Sequence, residues 1–494
     1  MTGRLYSSTQ IRAIEQQAIA EMAQGDFVLM QQAASALLAL LKQRWPSRKN
    51  LLVYAGNGNN GGDGYLLAAY AQAEGYRVTI KCIGDHTTLP KAALLARQAA
   101  EQAQVPLLNL CDPCRADVLV DAIFGIGLNR PVGGDYLNAI SQINQSTIPV
   151  LAVDVPSGLC ADTGQVLGSA VQADVTLSFI GHKIGLFTAD GPDHCGELLL
   201  EPLSIPQPLL AAQQACATLV DGNQLLRKLA PRKANFHKGQ AGHVVIIGGD
   251  HGMAGAPLLS AEAALRCGAG LVTVLTRKEH VPALVARRPE CMVHGVEAQQ
   301  DLHQLLQKAS VIVAGPGLGQ QFWGQHLLQQ VLTQNKPVLL DADALNLLAQ
   351  QTAPRLNQLI LTPHPGEAAR LLHCSSQEVQ QHRLNAVQAL QQQYQTTVLL
   401  KGNGSLIAGD KGTQLLNVGN PGMASAGMGD LLSGIIAALW AQGLDAEDAA
   451  ALGSWLHACA ADQQAARFGP RGLLATDLLS SVRQHLNQSL NLFE

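Results

Sequence analysis

The strongest constraint on the fold is a repeated succession of short apolar runs, glycine-rich turns and stretches with helical periodicity. Runs such as LLVYAG (51–56) and VTIKCIG (78–84) have the length and composition of strands buried in a parallel sheet. Helical stretches follow them, at residues 57–75 and 91–103. Strands that alternate with helices in this way are typical of doubly wound parallel sheets. We therefore predict an α/β fold throughout the chain.

The succession occurs in both halves of the chain, without an internal sequence repeat. Further strands of the first half are predicted at VLVDAIFG (118–125), PVLAVDVPSG (149–158) and VTLSFI (175–180). Those of the second half are predicted at HVVIIGGD (243–250), LVTVLT (271–276), VIVAGPGLG (311–319), PVLLDADAL (337–345), LILTPHPGE (359–367) and TVLLKGNGSLIAGD (397–410). With 494 residues, of which 47% are apolar and 14% charged, the chain is long enough for two large α/β domains. We place their boundary near 215–230, where the strand pattern is interrupted.

Charge and composition argue against several classes of partner. The formal net charge is −4, and Lys and Arg are scattered without a basic stripe, so we expect no nucleic-acid partner. Residues 6–23 predict an amphipathic helix capped by Ser8 or Thr9, with no signal peptide before it. The longest apolar runs, such as 34–41, are too short to span a bilayer, so we expect a cytoplasmic protein with no membrane partner. The ten cysteines are then expected to be reduced core thiols.

Polar side chains cluster where the predicted strands of the first half end. Asn59, Asn60 and Asp63 follow one strand, Asp121 lies within another, and Asp154 and Ser157 follow a fourth. Ligands of open parallel sheets bind beyond the carboxyl ends of the strands. The oxygens of Asn60, Asp121 and Ser157 suit a hard cation, which prefers oxygen ligands. The alternative explanation of each is a turn former or a helix cap.

Three glycines after the first strand match a dinucleotide-binding pattern. Gly56, Gly58 and Gly61 give G-x-G-x-x-G between a predicted strand and a predicted helix. The acidic residue that would bind a ribose about 20 positions later is missing, and the nearest residue there is Lys81. Alone, the pattern is a weak indication of nucleotide binding.

The segment NPGMASAGMGDLLSG (420–434) is a glycine-rich loop that leads into an apolar helix. Its backbone amides and the positive end of the helix dipole suit a phosphate or a developing oxyanion. Asp430 adds a carboxylate at the same place, which a phosphoryl transfer to a hydroxyl requires as a base. A capping aspartate on a buried helix is the alternative. No G-x-x-x-x-G-K-[ST] motif occurs, so the chain is not a P-loop nucleotidase.

The motifs NNGGDG (59–64), DAIFGIGLNRP (121–131), VDVPSG (153–158) and HKIGL (182–186) resemble the epimerase domain of the NAD(P)H-hydrate repair enzymes. The resemblance covers 1–218 and implies a Rossmann-like doubly wound sheet that interconverts the R and S forms of NADHX and NADPHX, the C6-hydrated nicotinamide nucleotides. It implies that the substrate contacts Asn59, Asn60, Gly61, Gly62, Asp63, Gly125, Ile126, Gly127, Leu128, Asn129, Arg130, Pro131, Tyr136 and Asp154. It also implies a potassium ion bound by Asn60, Asp121 and Ser157.

Epimerisation at C6 requires the hydroxyl to leave, or the ring to open, and to re-form from the other face. Proton transfer has to assist both directions. We therefore predict Asp154 as the acid/base residue. Lys183 is either its electrostatic partner or a surface lysine, and the sequence leaves both interpretations open.

The second half resembles the ribokinase-type fold, and more closely the ADP-dependent (S)-NAD(P)H-hydrate dehydratase, over 225–494. The motifs are HKGQAGHVVIIGG (237–249), GAPLLSAEAALRCGAGLV (255–272), GPGLG (315–319), DADALN (341–346), TPHPGE (362–367), KGNGS (401–405) and NPGMASAGMGD (420–430). The resemblance implies substrate contacts at Ala256, Gly317, His364 and Asp430, and nucleotide contacts at Lys401, Gly402, Asn403, Gly404, Ser405 and Gly429. Met428 departs from the small residue often found there; its side chain either packs away from the nucleotide or alters its affinity.

By this resemblance ADP is the co-substrate of the dehydratase. Asp430 takes the proton of the ring hydroxyl as that oxygen attacks the terminal phosphate, and the phosphorylated oxygen then leaves as phosphate with AMP as the other product. Phosphoryl transfer also requires Mg²⁺ at the phosphates, for which Glu367 is a candidate ligand. His364 is alternatively a turn brace, and Lys401 alternatively extends its apolar stem to place the ammonium in solvent instead of contacting a phosphate. Asp341 and Asp343 are interpreted as capping residues of a helix, and the Asp343 segment is kept outside the predicted site.

Two other functions remain open at this point. One is a ribokinase-type small-molecule kinase fused to a nucleotide-binding regulatory module. The other is a nucleotide sensor or scaffold without catalytic activity. The leading prediction is an enzyme that repairs hydrated NADH and NADPH, with NADHX, NADPHX and ADP as its small-molecule partners. A homo-oligomer is expected, although the sequence does not fix the number of subunits.

Overall fold

The computed structural model describes residues 3–22, 25–351 and 358–487. The chain divides into two compact units, Met1–Thr218 and Leu219–Glu494. Each unit is built on a mostly parallel sheet covered by helices, so the predicted α/β class is confirmed.

The strands of the first unit are β1 (Arg4–Tyr6), β2 (Asn50–Ala55), β3 (Arg77–Cys82), β4 (Leu107–Leu108), β5 (Val118–Ala122), β6 (Val150–Val153), β7 (Val175–Phe179), β8 (His182–Lys183), β9 (Glu197–Glu201) and β10 (Ala217–Leu219). Seven of them form a parallel sheet in the order β4-β3-β2-β5-β6-β7-β9. The order in which the chain adds strands changes sides at β2 and β5: β3 and β4 lie on one side of this parallel pair, and β6, β7 and β9 lie on the other. Within the pair, Tyr54 is opposite Asp121. Such a switch point opens a crevice beyond the carboxyl ends of the two strands.

The helices of the first unit are Ser8–Met22, Gly25–Arg44, Asn59–Ala73, Lys91–Gln102, Gly134–Gln145, Gly191–Cys195 and Gln207–Ala212. The predicted cap of the first helix, Ser8 or Thr9, was wrong by one position. Ser7 is the cap, because its hydroxyl accepts a hydrogen bond from the Gln10 amide and its own amide donates to the Gln10 side chain. Ser8 instead donates from its amide and its hydroxyl to Asp162.

The strands of the second unit are β11 (His243–Ile247), β12 (Leu271–Thr276), β13 (Met292–Gly295), β14 (Val311–Ala314), β15 (Val338–Leu340), β16 (Leu359–Leu361), β17 (Thr397–Leu400), β18 (Leu406–Gly409) and β19 (Gly412–Leu415). Their order is β13-β12-β11-β14-β15-β16-β17-β18-β19, parallel as far as β17. The stretch 397–410, predicted as one strand, is two antiparallel strands. The glycines of 401–405 form a loop between them, which turns the chain back on itself.

The helices of the second unit are Gly222–Leu226, Gly255–Arg266, Val281–Arg287, His303–Gln307, Phe322–Leu332, Asp343–Leu348, Pro365–Leu372, Ser376–Gln381, Arg383–Tyr394, Met428–Ala441, Ala446–Phe468 and Leu478–Asn487. Met428–Ala441 is buried along almost its whole length. It packs closely on Gly255–Arg266, where a side chain at Gly434 would overlap the carbonyl oxygen of Ser260. This packing fixes the position of the helix's first turn, which carries Asp430.

None of the helices in the described part of the chain is long and apolar enough to cross a membrane. All ten cysteines are free thiols. The prediction that they are core thiols holds for three of them, Cys195, Cys267 and Cys291, because the others are exposed or half-buried.

Candidate functional sites

The first candidate site is a cavity of about 670 Å³ beyond the carboxyl ends of β2 and β5. Ten of the predicted substrate contacts line it: Asn59, Asn60, Asp63, Gly125, Ile126, Gly127, Leu128, Asn129, Arg130 and Asp154. Lys183 also lines it. The switch point of the sheet therefore brings together segments that lie far apart in the sequence.

Four predicted contacts lie outside the lining of this cavity. Gly61 and Gly62 are buried in the first turn of helix Asn59–Ala73. A side chain at Gly61 would overlap the Gly56 carbonyl oxygen, so this glycine allows the helix to begin close to the strand. Pro131 is exposed, and the Tyr136 ring packs on Phe124 with centroids 4.7 Å apart. These four residues shape the loops around the cavity.

Asp154 and Lys183 form a buried ion pair in the cavity wall. Lys183 is 1% exposed, so it is not a surface lysine. Its ammonium also donates to the Phe179 carbonyl at 2.7 Å and to the Ser178 hydroxyl at 3.1 Å. Asp154 has a positive φ of 68° and accepts from the Phe179 amide at 3.0 Å. A non-glycine residue in this backbone region is strained, which is common where a site has to aim a side chain.

Two more carboxyl groups face this ion pair, and both have raised pKa values. Burial raises the pKa of Asp63 well above its usual range, and repulsion from Asp154 and Glu15 adds to the effect. Burial also raises the pKa of Glu15, followed by repulsion from Asp154. Glu15 lies on helix Ser8–Met22 and was missed in the sequence, because it belongs to no motif and reaches the cavity only through tertiary packing.

Two of the three predicted cation ligands, Asp121 and Ser157, are in direct contact, and the amide oxygen of the third, Asn60, lies beside Gly125. The Asp121 carboxylate accepts hydrogen bonds from the Ser157 amide at 2.7 Å and the Ser157 hydroxyl at 2.6 Å. Burial raises the pKa of Asp121 to about 6, against these hydrogen bonds. The Asn60 amide nitrogen is buried and lacks a hydrogen-bond partner among the described residues. The Phe124 carbonyl lies 3.3 Å from the Ser157 hydroxyl, so amide, carboxylate, hydroxyl and carbonyl oxygens share one region.

The second candidate site is at the start of helix Met428–Ala441. Gly427 precedes the helix with a φ of +84°, a conformation that favours glycine. Asp430 lies in the first turn, where backbone amides lack intrahelical acceptors. Burial raises the pKa of Asp430 to about 6, and repulsion from Asp341 adds to the shift, while the charge of Lys401 opposes it. A carboxylate that titrates near neutrality is suited to general-base chemistry.

Asp341 and Lys401 form an ion pair beside this aspartate. The Lys401 ammonium lies 2.7 Å from one Asp341 oxygen, and the Ser433 hydroxyl donates to the other, also at 2.7 Å. Burial alone would raise the pKa of Asp341, but Lys401 and these hydrogen bonds hold it below its usual value. Any side chain at Gly429 would crowd the Lys401 ammonium, which a Cβ atom would approach to 3.3 Å. The sequence motif alone did not place Asp341 in the site.

Arg383 holds the predicted nucleotide loop of residues 401–405. This arginine is 3% exposed, and its guanidinium donates to the carbonyl oxygens of Lys401 and Gly404. Within the loop, the Ser405 hydroxyl accepts from the Gly402 amide at 3.2 Å and donates to the Gly402 carbonyl at 2.9 Å. Asn403 is exposed at the tip. No local motif marks Arg383, because its helix is separate from the loop in sequence.

The remaining predicted contacts are Ala256 and Gly317, which are adjacent to each other, and His364, which lies in a separate segment. A side chain at Gly317, which has a positive φ, would contact Ala256, so these two residues are adjacent. His364 caps helix Pro365–Leu372 by accepting from the Gly366 amide at 3.0 Å. Glu367 accepts from the His364 amide at 2.8 Å, and its negative charge contributes to the raised pKa of Asp430. His364 is therefore a turn brace as well as a candidate contact.

Asp343 begins a helix, as the capping pattern predicted, and also reaches the second site. Its carboxylate accepts from the Gly319 amide at 2.9 Å, which ties the GPGLG loop to the 341–343 segment. Repulsion from Asp343 contributes to the raised pKa of Asp430. Ala342, between the two aspartates, has a strained φ of +48°.

Comparison with known families agrees with this division of the chain. Residues 26–185 match the family described as YjeF-related protein N-terminus. Residues 244–484 match the NAD(P)H-hydrate dehydratase family. The first match covers the loops of the first cavity, and the second covers Asp341, Lys401 and Asp430.

Full-length relatives carry both parts in one chain. The chain is 45% identical to a bifunctional NAD(P)H-hydrate repair enzyme of Coxiella burnetii, over 98% of this chain and 99% of the relative. It is 44% identical to the enzyme of that name from Escherichia coli, over 98% and 94%.

Solved structures resemble the second unit. A Bacillus subtilis ADP/ATP-dependent NAD(P)H-hydrate dehydratase, co-crystallised with ATP and Mg²⁺, superposes with a TM-score of 0.50 at 31% identity, over 54% of this chain and 96% of that one. A ribokinase-like superfamily protein from Enterococcus faecalis gives 0.51 at 32%, over 55% and 95%. The chain therefore belongs to the family of bifunctional NAD(P)H-hydrate repair enzymes, with an epimerase domain followed by a dehydratase domain.

Proposed function

We propose that the cavity beyond β2 and β5 is the epimerase site and that the loops around Asp430 are the dehydratase site. On this proposal residues 1–218 carry the epimerase and 225–494 the dehydratase. The observation that supports it most is Asp430 itself. Its pKa is raised to about 6 at a helix start, beside a lysine that is already paired with Asp341.

In the epimerase, Asp154 exchanges the proton that accompanies loss and return of the C6 hydroxyl. Lys183 fixes the Asp154 carboxylate, because it is anchored at the same time by Phe179 and Ser178. The loop residues 125–130 and Asn59, Asn60 and Asp63 hold the nucleotide across the cavity. At about 670 Å³ the cavity is in the usual size range of small-ligand sites.

A potassium ion is proposed at Asn60, Asp121 and Ser157. The residues fit such an ion, because the amide, carboxylate and hydroxyl oxygens of these three side chains are the ligands that a hard cation prefers, and Asp121 and Ser157 are both buried and in contact. When bound, the ion offsets the charge of Asp121 beneath the substrate loops. Exchanging K⁺ for a large organic cation in the assay buffer should lower epimerase kcat/KM by about ten-fold, the low end for lost metal-site interactions. Dehydratase activity in the same samples is the control and should not change; an unaltered epimerase rate contradicts the ion site.

In the dehydratase, Asp430 takes the proton of the C6 hydroxyl as its oxygen attacks the terminal phosphate of ADP. A new oxygen–phosphorus bond forms as the bond from that phosphorus to AMP breaks. The original C6–oxygen bond then breaks, phosphate leaves with the bonding electrons, and loss of a proton from C5 restores the dihydropyridine ring. The amides at the start of helix Met428–Ala441 are placed to stabilise the developing negative charge. Ala256, Gly317 and His364 are the proposed contacts to the hydrated ring.

The nucleotide is proposed to lie on Lys401, Gly402, Asn403, Gly404 and Ser405 and against Gly429. Arg383 keeps this loop in position by donating a hydrogen bond to the Gly404 carbonyl oxygen. Mg²⁺, when bound, neutralises the phosphates, and it is proposed to be held mainly by them, since both Glu367 oxygens already contact His364. Among the described residues, no group of three His, Cys, Asp or Glu side chains is arranged to hold a metal by itself.

The test supplies the full chain with hydrated NADPH and ADP and follows the return of reduced-nicotinamide absorbance. Recovery of more than the S fraction indicates epimerisation followed by dehydration. A stable phosphorylated product indicates a small-molecule kinase, and binding without turnover indicates a sensor. The expected cytoplasmic location and homo-oligomeric state stay predictions.

A further inference from the structure

A second cavity in the C-terminal unit is lined by five arginines. It has a volume of about 590 Å³, within the usual range of small-ligand sites. Its walls are the ends of helices Gly255–Arg266, Val281–Arg287 and Ala446–Phe468 and the start of helix Leu478–Asn487. It is therefore formed by elements that meet only in the folded unit.

The positive charge of this cavity is only partly neutralised. Arg287 and Arg288 both contact the carboxylate of Glu262, at 3.4 and 2.7 Å. Arg266, Arg467 and Arg483 have no acidic side chain within 4.0 Å among the described residues. Asp477 also lines the cavity, so five arginines face two acidic residues there. In a chain with a net charge of −4, this local excess of positive charge attracts an anion.

The start of helix Leu478–Asn487 adds to this attraction. Leu479 and Ser480 lie in its first turn and line the cavity. The first amides of a helix lack intrahelical acceptors and favour phosphate groups. Arginine presents a planar fork that binds phosphate through two hydrogen bonds. The cavity thus combines both common means of phosphate recognition.

Two further groups suit the remainder of a nucleotide. The Phe468 ring is 75% exposed at the cavity, so a base can stack on it. Glu262 is 2% exposed, and one of its carboxylate oxygens has no hydrogen-bond partner among the described residues. A buried unpaired acceptor is costly and is satisfied by a ligand hydroxyl such as that of a ribose.

This cavity is separate from the proposed dehydratase site. None of the residues proposed for that site lines it. Ala256 of that site and Arg266 of the cavity are on the same helix, ten residues apart, which corresponds to roughly 15 Å. We propose that the cavity is a second, non-catalytic binding site for a nucleoside di- or triphosphate, whose phosphates meet Arg266, Arg467 and Arg483.

The test is calorimetric titration of the full chain with ADP. Wild type should show two binding events, and the double variant R467A/R483A should show one, with the Kd of the other raised about 10–100-fold for each lost charged contact. Both arginines are exposed, so the fold should persist. Arg471→Ala, an exposed arginine outside the cavity, is the matched control and should keep both events.

Phe468→Ala and inorganic triphosphate separate the nucleoside from its phosphates. Phe468→Ala should weaken the binding of ADP at the cavity and leave the binding of triphosphate unchanged. If the variant binds both ligands as tightly as wild type does, the nucleotide assignment is wrong. Unaltered ADP binding in R467A/R483A overturns the proposal. A changed oligomer mass of this variant without any loss of ADP binding also overturns it, because the arginines would then lie in a subunit interface. If wild type shows a single event that R467A/R483A abolishes, the catalytic-site proposal fails and this one stands.

Discussion

Both units hold an aspartate–lysine ion pair at the carboxyl edge of a parallel sheet, but the lysines neutralise different carboxyl groups. In the first unit Lys183 pairs with Asp154, the predicted acid/base residue itself. In the second unit Lys401 pairs with Asp341, and Asp430 forms no ion pair with any of the residues that the structure describes. The carboxyl groups near each ion pair that have raised pKa values are Asp63 and Glu15 in the first site and Asp430 in the second.

A lysine beside two carboxyl groups can give them different chemical roles, because it forms an ion pair with only one of them. In the second unit the pKa of the paired Asp341 is held below its usual value by Lys401, whereas burial and repulsion raise the pKa of the unpaired Asp430. In the dehydratase the shifted group is the proposed base, with a pKa of about 6. In the epimerase the shifted group is Asp63, whose pKa is raised by burial and by repulsion from Asp154, so it is the candidate proton donor beside Asp154.

The largest expected effect comes from Asp430→Asn, which keeps the shape and removes the base. Dehydration should fall by about 10²–10⁴-fold, the usual contribution of a general base. Epimerisation in the same preparation serves as the control, and Asp410→Asn, an exposed acid elsewhere in the unit, should leave both rates unchanged. A dehydration rate near wild type rules out Asp430 as the base.

The same variant should stabilise the second unit at neutral pH. The folded-state pKa of Asp430 is raised from 3.8 to about 6. The free energy of unfolding therefore falls as pH rises through this window, and it stays lower at higher pH. Removing the charge should raise the free energy of unfolding at pH 7 by about 1–2 kcal/mol after solvent screening. Urea titrations at pH 4 and pH 7 measure this, and the gain should vanish at the lower pH.

The next effect separates Asp154 from Asp63 in the first unit. Asp154→Asn leaves the buried Lys183 unpaired, which should lower the free energy of unfolding by about 3–5 kcal/mol. Asp63→Asn removes a carboxyl group whose charged form is already disfavoured by burial, so it should cost far less, while it abolishes epimerisation if Asp63 is the proton donor. Hydrogen exchange of residues 150–153 and 175–179 in urea reports on this unit. Equal stability losses in the two variants would contradict the division of roles.

The pH profiles should differ between the two reactions. Dehydratase kcat/KM should rise with pH through about 6, because Asp430 acts as a base only when ionised, and it should be about ten-fold lower one unit below this value. The epimerase should instead decline on the alkaline side, where Asp63 loses its proton. Both rates are measured in one buffer series, and parallel profiles would show that the two sites do not differ in this way.

The fold was largely predictable because strand burial is a local property of sequence. The runs at 51–56, 271–276 and 311–319 were predicted and are observed as β2, β12 and β14. The antiparallel turn within 397–410 was missed, since β17 and β18 have the same apolar composition as one continuous strand. Composition carries no information on the direction of a neighbouring strand.

Candidate site residues could be named from the sequence only where a motif carries them. Asp154, Asp430 and Lys401 belong to such motifs and lie where ligands are expected. Glu15 and Arg383 do not, because each enters its site from a separate helix through packing alone. Which carboxyl a lysine neutralises depends on distances of a few ångströms, and these are not encoded in any local pattern.

The smallest expected effect concerns Met428, which precedes Gly429 and Asp430. Its side chain is 5% exposed and packs in the core with Leu431, whereas the neighbouring glycine faces Lys401. Met428→Leu keeps the volume and apolar character of this anchor, so it should change the free energy of unfolding by less than about 1.5 kcal/mol. The KM for ADP should not change, because the side chain is buried in the hydrophobic core of the unit. A shifted KM with unchanged stability would place Met428 against the nucleotide. The first turn of the helix would then contact the ligand through Met428 as well as through Gly429 and Asp430.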